Sequence, residues 1–256
     1  MNAIDNKILY GLIGYPLTHS FSRDFFNCKF AAEGINAEYI NFEIDDIGRL
    51  MELVAEFPEL HGLNVTAPYK EQVIPFLTSL SPEAEAIGAV NVIKVIHHAT
   101  DGQAVALEGH NTDMPAFANT LKPLATPSLT SALVLGTGGA AKAVSHALRG
   151  MGIDVQLVSR RKSASTMTYE EITRATVASH QLIVNATPLG KWPDVDCCPD
   201  FPYRFITPNH LCYDLIYNPD VTEFMRRASQ AGARVKNGLE MLLLQAFQSD
   251  QIWNAP

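Results

Sequence analysis

The 256-residue sequence holds only four cysteines, and Cys28, Cys197, Cys198 and Cys212 form no C-x-x-C pair, while its eight histidines are scattered rather than spaced as ligands. These shortages exclude a zinc-ribbon or thioredoxin-like reading and predict reduced thiols and no metal. The adjacent Cys197 and Cys198 read as a loop feature. No apolar run is long enough to span a bilayer, and there is no internal repeat or low-complexity tract. The opening segment MNAIDNKILYGLIGYP reads as a first strand rather than a cleavable leader, so the cytoplasm is the expected compartment and no membrane partner is expected. Positive charge is also in short supply: 19 Lys and Arg face 27 Asp and Glu, a net charge of −8. That balance, with a pI near 5.4, argues against nucleic acid as a partner and leaves local basic clusters to hold a small anion. The remaining composition, 47% hydrophobic, is that of a soluble globular chain long enough for two modest cores.

What is present is a dinucleotide-binding fingerprint in the middle of the chain. VLGTGGAAKAV places Gly136, Gly138 and Ala141 at G-x-G-x-x-(G/A) spacing after the apolar run Ala132 to Leu135. Glycines there allow a tight turn and close approach to a pyrophosphate, which rests on the N-terminus of the next helix. Ala141, Val144, Leu148 and Met151 recur at helical spacing, Gly150 and Gly152 can close the helix, and Asp154 to Ser159 reads as the next strand. An NAD enzyme usually places a carboxylate after that strand. Here Ser159, Arg160, Arg161 and Lys162 follow instead, two guanidiniums suited to a 2′-phosphate, so NADP is the expected cofactor.

The preceding half is too long to be a leader and must fold into something that holds a substrate. It alternates strand and helix patterns: Ile8 to Ile13, a helix from Ser22 to Glu33, Glu38 to Ile44, a helix from Asp46 to Phe57, and Gly62 to Thr66. Such alternation implies a largely parallel sheet. Ser81 and Pro82 form a helix start, Ala89 to Ile96 reads as a strand, and the Asp101-Gly102 turn sends the chain back through Ala104 to Glu108. Thr112 or Asp113 caps a helix leading to the second domain. Beyond the fingerprint, Gln181 to Thr187 and Leu211 to Tyr217 read as further parallel strands, and Leu239, Leu242, Leu243, Ala246 and Phe247 lie on one face of a last helix. The expected fold is α/β with two domains and a cleft between them: a mostly parallel substrate domain over 1–113 and a Rossmann-type domain over 114–238, with a helix over about 239–256 returning to the first.

Small polar residues gather where strands of such a sheet end. Gly14 to Ser22 follows the first strand, Asn64-Val65-Thr66-Ala67-Pro68-Tyr69-Lys70 ends another, Asn91 starts a third, and Glu108 to Asp113 ends the hairpin. Hydroxyls, amides, one ammonium and one carboxylate suit a small polyhydroxylated acid.

With these motifs in this order, from about Tyr10 to Gln245, the sequence resembles the shikimate/quinate dehydrogenase family, and most closely its NADP-dependent members that interconvert 3-dehydroshikimate and shikimate in aromatic amino acid biosynthesis. The resemblance implies that Ser20 and Ser22 bind the substrate carboxylate, that Asn64, Thr66 and Asn91 lie beside the substrate, and that Lys70 is catalytic with Asp113 as its partner. In the second half it implies cofactor contacts from Gly136, Thr137, Gly138, Gly139 and Ala140, from Ser159, Arg160 and Arg161, and from Thr187 in N-A-T-P-x-G. The D-x-x-Y-x-P-x-x-T match spans Asp214, Tyr217, Pro219 and Thr222, and N-G-x-x-M-L-x-x-Q-A spans Asn237 to Ala246. These imply that Tyr217 and Gln245 reach the substrate and that Leu215, Gly238 and Met241 lie near the nicotinamide. The chain departs from the family pattern at Arg23, Phe26 and Asn27, at Ser159 to Arg161, and at Met114 and Ala116, where glycines are common.

Plainer readings of the same residues exist: Ser20 and Ser22 as helix caps, Asn64 and Thr66 as turn residues, Lys70 as a surface lysine, Asp113 as an N-cap. Hydride reduction of a ketone creates an alkoxide, so Lys70 as an ammonium is the expected proton donor. The alternatives are a quinate/shikimate dehydrogenase using NAD, a paralogue acting on an amino-substituted shikimate, a folate-type dehydrogenase, and a non-catalytic NADP-binding regulator. Arg160 and Arg161 argue against the first, and Lys70 with Asp113 against the last. A monomer or homodimer is expected.

Overall fold

A computed structural model describes residues 7–17, 20–98 and 104–255; the expected Asp101-Gly102 turn lies outside them. The chain divides into two compact units, Met1–Thr112 with Ala246–Pro256, and Asp113–Gln245.

In the first unit, β1 (Ile8–Gly14), α1 (Phe21–Glu33), β2 (Ala37–Glu43), α2 (Leu50–Glu56), β3 (Leu60–Val65), α3 (Tyr69–Gln72), β4 (Ser79–Leu80), α4 (Pro82–Ile87), β5 (Val92–His97) and β6 (Ala104–His110) follow in order. The sheet runs β2-β1-β3-β5-β6-β4. Its β2-β1-β3 half is parallel, β5 is antiparallel to both neighbours, and β4 pairs parallel with β6. The period of two along β1 explains how both faces are covered. Leu9 and Ile13 face a core built with Leu50, Leu53 and Leu63. Tyr10 and Leu12 face the opposite core, with Phe26, Tyr39 and Trp253.

The second unit contains α5 (Asp113–Leu121), β7 (Ser131–Leu135), α6 (Gly139–Gly150), β8 (Asp154–Ser159), β9 (Thr166–Thr168), α7 (Arg174–Ser179), β10 (Leu182–Asn185), β11 (Leu211–Asp214), α8 (Glu223–Gln230), β12 (Arg234–Lys236) and the start of α9 (Leu239–Trp253). Its strand order is β12-β11-β10-β7-β8-β9, every pair parallel. Counted from β7, that is the 3-2-1-4-5-6 order of a dinucleotide-binding sheet, with its switch point between β7 and β10. Ala132 and Val134 pack under α5 and α6 through Phe117, Val144 and Leu148, while Leu133 and Leu135 pack on the other face with Val177 and Phe224.

Six local expectations need correction. The helix expected over Asp46 to Phe57 opens with a 3-10 turn, Ile47–Arg49, because the Asp46 side chain accepts from the Gly48 N–H and diverts the first turn. The strand expected from Ala89 begins only at Val92, since Val90 N–H donates to Lys70 O and Asn91 N–H to His110 O. The strand expected through Thr187 ends at Asn185, and the one expected through Tyr217 ends at Asp214. There the side chains of Asn185 and Asp214 accept the Thr187 and Ile216 N–H groups and turn the chain away. Helix α6 runs through Gly150, with Met151 and Gly152 making the turn. On α9, Ala246 is buried as expected, but Leu239 and Phe247 are exposed, and a buried stripe runs through Met241, Gln245, Ser249 and Trp253 at spacings of four. Polar Ser249 and Trp253 turn inward because both have partners there: Ser249 Oγ accepts from Asn64, and Trp253 Nε1 donates to Ile93 O.

Candidate active site

Parallel pairing places the ends of β1 and β3 side by side, with Ile13 opposite Val65. The antiparallel pairing of β5 brings its start to the same edge, Asn64 facing Val92 and Val92 facing His110. A row of backbone bonds stitches this edge together: Thr66 N–H to Ile13 O, Val65 N–H to Asn91 O, and Asn91 N–H to His110 O. Lys70, the second residue of α3, is half-buried, and its carbonyl accepts from Val90 N–H at 2.7 Å. Its neighbour Tyr69 anchors the short helix by donating to Ile44 O at 2.6 Å. Ser20, Ser22, Asn64, Thr66, Lys70 and Asn91 all lie in this unit.

The side chains at this edge form a network of neutral groups. Asn64 is buried; its Nδ2 donates to Asn91 O at 3.3 Å and to Ser249 Oγ at 2.9 Å, and its Oδ1 accepts from the Tyr39 phenol at 2.8 Å. Asn91 clamps Thr112, donating to its Oγ1 at 2.9 Å and accepting from its N–H at 2.7 Å. Asn111 adds a bond to Ala89 O at 2.9 Å. The turn that precedes Asp113 is thereby fixed. Ser20 is the N-cap of α1, accepting from Arg23 N–H at 3.2 Å, a bond that uses an oxygen lone pair and not the hydroxyl proton. Ser22, the second residue of that helix, is buried.

In the second unit the corresponding edge is built largely from backbone. Gly136 leaves β7 at φ +115°, and a Cβ there would lie 3.0 Å from Ala186 O, so both conformation and the approach to the β10 turn require glycine. Helix α6 starts at Gly139 with no side chain capping it, and above Gly138 a Cβ would meet nothing within 4 Å. Unused N–H groups with open space before them fit a pyrophosphate. Beyond β8, Arg161 is held through its N–H on Ser159 Oγ and its carbonyl on Thr166 Oγ1. Arg160 and Arg161 are exposed and, among the described residues, make no ion pair, whereas Lys162 is taken by Glu171. The two guanidiniums fit a phosphate monoester beside the strand end.

Thr187 follows β10, its hydroxyl donating to Asn185 Oδ1 at 2.7 Å. Asn185 in turn donates to Asp214 Oδ1 at 3.0 Å, which also accepts from Ile216 N–H, while Asp214 Oδ2 accepts from Thr222 at 2.6 Å. This carboxylate is fully buried without a cation, and burial pushes its pKa up to about 6 despite the three donors. It shapes the turn that carries Leu215 and Tyr217. Gly238 lies against that turn so closely that a Cβ would stand 2.1 Å from Leu215 O. Met241 is buried one turn further along, and Gln245, also buried, donates to Leu242 O at 3.0 Å. Asp113, Tyr217 and Gln245 are thus residues of the second unit, Asp113 being the buried first residue of α5. Among the described residues no group of three metal-ligating side chains occurs, and no helix is long and apolar enough to cross a membrane.

Tyr39, Ser249 and Asp214 are parts of these networks that the sequence reading did not single out as site residues. The available signal was polar atoms at inward positions of otherwise apolar elements.

Residues 12–93 match the shikimate dehydrogenase substrate binding domain. Over 95% of its length the chain is 36% identical to the NADP(+) shikimate dehydrogenase of Desulforamulus reducens, covering 88% of that protein. It is 37% identical to the one from Aquifex aeolicus, with 96% and 91% of the two chains covered. The chain belongs to the shikimate dehydrogenase family. A solved shikimate 5-dehydrogenase, that of Thermus thermophilus in complex with NADP(H) and shikimate, superposes with a TM-score of 0.82 at 30% identity, covering 96% of this chain and 93% of that one. The fold described above is thus shared with that enzyme over nearly its whole length.

Proposed function

We propose that the protein reversibly reduces 3-dehydroshikimate to shikimate with NADPH, a cytoplasmic step of aromatic amino acid biosynthesis. The observation that carries this reading is the stitched edge of the first sheet, where Asn64 to Lys70 and Asn91 are held together in a member of this family. NADPH, when bound, supplies the hydride to the ketone carbon. Lys70 gives a proton to the oxygen that becomes negative, a role typically worth ~10²- to 10⁴-fold in rate. Asp113 is the partner of Lys70 in this reading and accepts a substrate hydroxyl. Ser20 and Ser22 donate to the carboxylate, and Asn64, Thr66, Asn91, Tyr217 and Gln245 take the hydroxyls.

The first unit is accordingly the substrate domain and the second the cofactor domain. Gly136, Thr137, Gly138, Gly139 and Ala140 cradle the pyrophosphate, Ser159, Arg160 and Arg161 hold the 2′-phosphate, and Thr187, Leu215, Gly238 and Met241 border the nicotinamide.

The test is the growth of reduced-nicotinamide absorbance on adding shikimate with NADP, with NAD and quinate as parallel substitutions. Turnover with shikimate and NADP well above every other pairing is expected. A preference for quinate with NAD would replace this reading by the quinate one, and NADP binding without turnover of either acid would leave a regulator.

A further inference from the structure

Thr187 follows β10 at the switch point of the second sheet, the place where sheets of this kind bind ligands. It is half-buried, and a Cβ on Gly136 would lie 3.4 Å from its methyl group, so the side chain borders the glycine turn. Its hydroxyl has one proton to give, and Asn185 decides where that proton goes.

The buried Asn185 amide can face only one way. Its nitrogen meets the Leu189 carbonyl at 3.4 Å, which cannot donate, and the Asp214 carboxylate at 3.0 Å. Its oxygen meets the Thr187 N–H at 3.1 Å, which cannot accept. The Thr187 hydroxyl, 2.7 Å from the same oxygen, must therefore donate to it. On the hydroxyl oxygen one lone pair takes the Leu189 N–H at 3.3 Å, and one is left. Donating to a ligand would only exchange one bond for another. Accepting from a ligand adds a bond.

We propose that Thr187, its proton committed to Asn185, meets the cofactor as an acceptor only, and takes a donor of the nicotinamide riboside: the carboxamide N–H or a ribose hydroxyl. A phosphate oxygen brings no proton to this position, so the pyrophosphate is left to the N–H groups of the glycine turn. The inference rests on the functional reading above and deepens it by stating which chemistry Thr187 recognises.

The experiment measures Kd by calorimetric titration for the wild type, Thr187→Val and Thr187→Ser with four ligands. These are NADP; its 3-acetylpyridine analogue, which keeps the carbonyl and lacks the N–H; 2′-phospho-ADP-ribose, which keeps the ribose and lacks the nicotinamide; and 2′-phosphoadenosine 5′-diphosphate, which lacks both. Thr187→Val keeps the main-chain N–H on Asn185, and the internal hydroxyl bonds it removes are missing from free and bound protein alike, so Kd reads the ligand bond. It is expected to weaken NADP about fivefold, the scale of one hydrogen bond, and to leave the diphosphate unchanged, while Thr187→Ser binds as the wild type does. A loss seen with NADP alone assigns the carboxamide N–H. A loss shared by NADP, the acetylpyridine analogue and 2′-phospho-ADP-ribose assigns a ribose hydroxyl. A loss with NADP and the acetylpyridine analogue but not 2′-phospho-ADP-ribose would mean that Thr187 donates to the carbonyl, and would overturn the inference. So would a loss as large with the diphosphate, or no loss in folded Thr187→Val. A wild type that binds none of the four removes the functional reading as well, whereas an NADP-binding wild type with an indifferent Thr187 removes this inference alone.

Discussion

The two units solve the problem of holding a small anion in different materials. In the second unit the candidate site is mainly main chain: Gly136 in a conformation that other residues resist, a helix start without a cap, and Gly238 pressed on Leu215 O. In the first it is side chain: Asn64 and Thr66 beside Asn91, brought together by strand register from positions tens of residues apart. Their buried polar groups differ too. The first unit satisfies neutral amides and hydroxyls with one another, while the second buries the Asp214 carboxylate among three donors. A backbone site tolerates little change in conformation and a side-chain site little change in chemistry.

Five substitutions probe that contrast, from the largest effect to the smallest. Lys70→Ala should lower kcat by ~10²-fold or more while NADP affinity and thermal midpoint stay near wild type, read by steady-state kinetics and calorimetry. Chemistry would then be lost from one unit alone.

Asp214→Asn tests the buried charge. An acid whose pKa is raised from 3.8 to about 6 binds its proton more readily folded than unfolded, so its contribution to stability falls as pH rises from about 4 through 6 and is level above that. Relative to Asp214→Asn, the wild type should lose about 3 kcal/mol across that window, measured by urea unfolding at each pH. A constant difference would mean that the carboxylate titrates alike in both states.

Gly238→Ala places a Cβ against Leu215 O and should cost ~1–3 kcal/mol of stability while weakening NADP binding, with shikimate affinity spared. Arg160→Ala or Arg161→Ala should each weaken NADP about tenfold and leave NAD unchanged, a ratio that titration with both nucleotides measures.

The same contrast governs what the sequence disclosed. The backbone-built site is a spacing of glycines between a strand and a helix, and β8 was expected at Asp154 to Ser159, where it lies. The side-chain-built site depends on register, which local periodicity does not encode, so its residues were grouped only by family resemblance. β9 and β12, three residues each, are too short to show alternation. The buried face of α9 was misjudged because hydrophobicity alone was counted, whereas Ser249 turns inward for a hydrogen bond. Tyr39 is likewise an ordinary aromatic strand residue in sequence, and only the structure shows its hydroxyl meeting Asn64.

The row of main-chain bonds from Ile13 through Thr66 and from Val65 through Asn91 to His110 has a kinetic consequence. Amides at 65, 66 and 91 sit in one continuous lattice, so opening any one of them strips a neighbour of its partner. Their deuterium uptake should follow a single shared opening event, slowed in concert when a ligand braces any part of the edge. Three stretches scattered over the first 110 residues would then breathe on one clock.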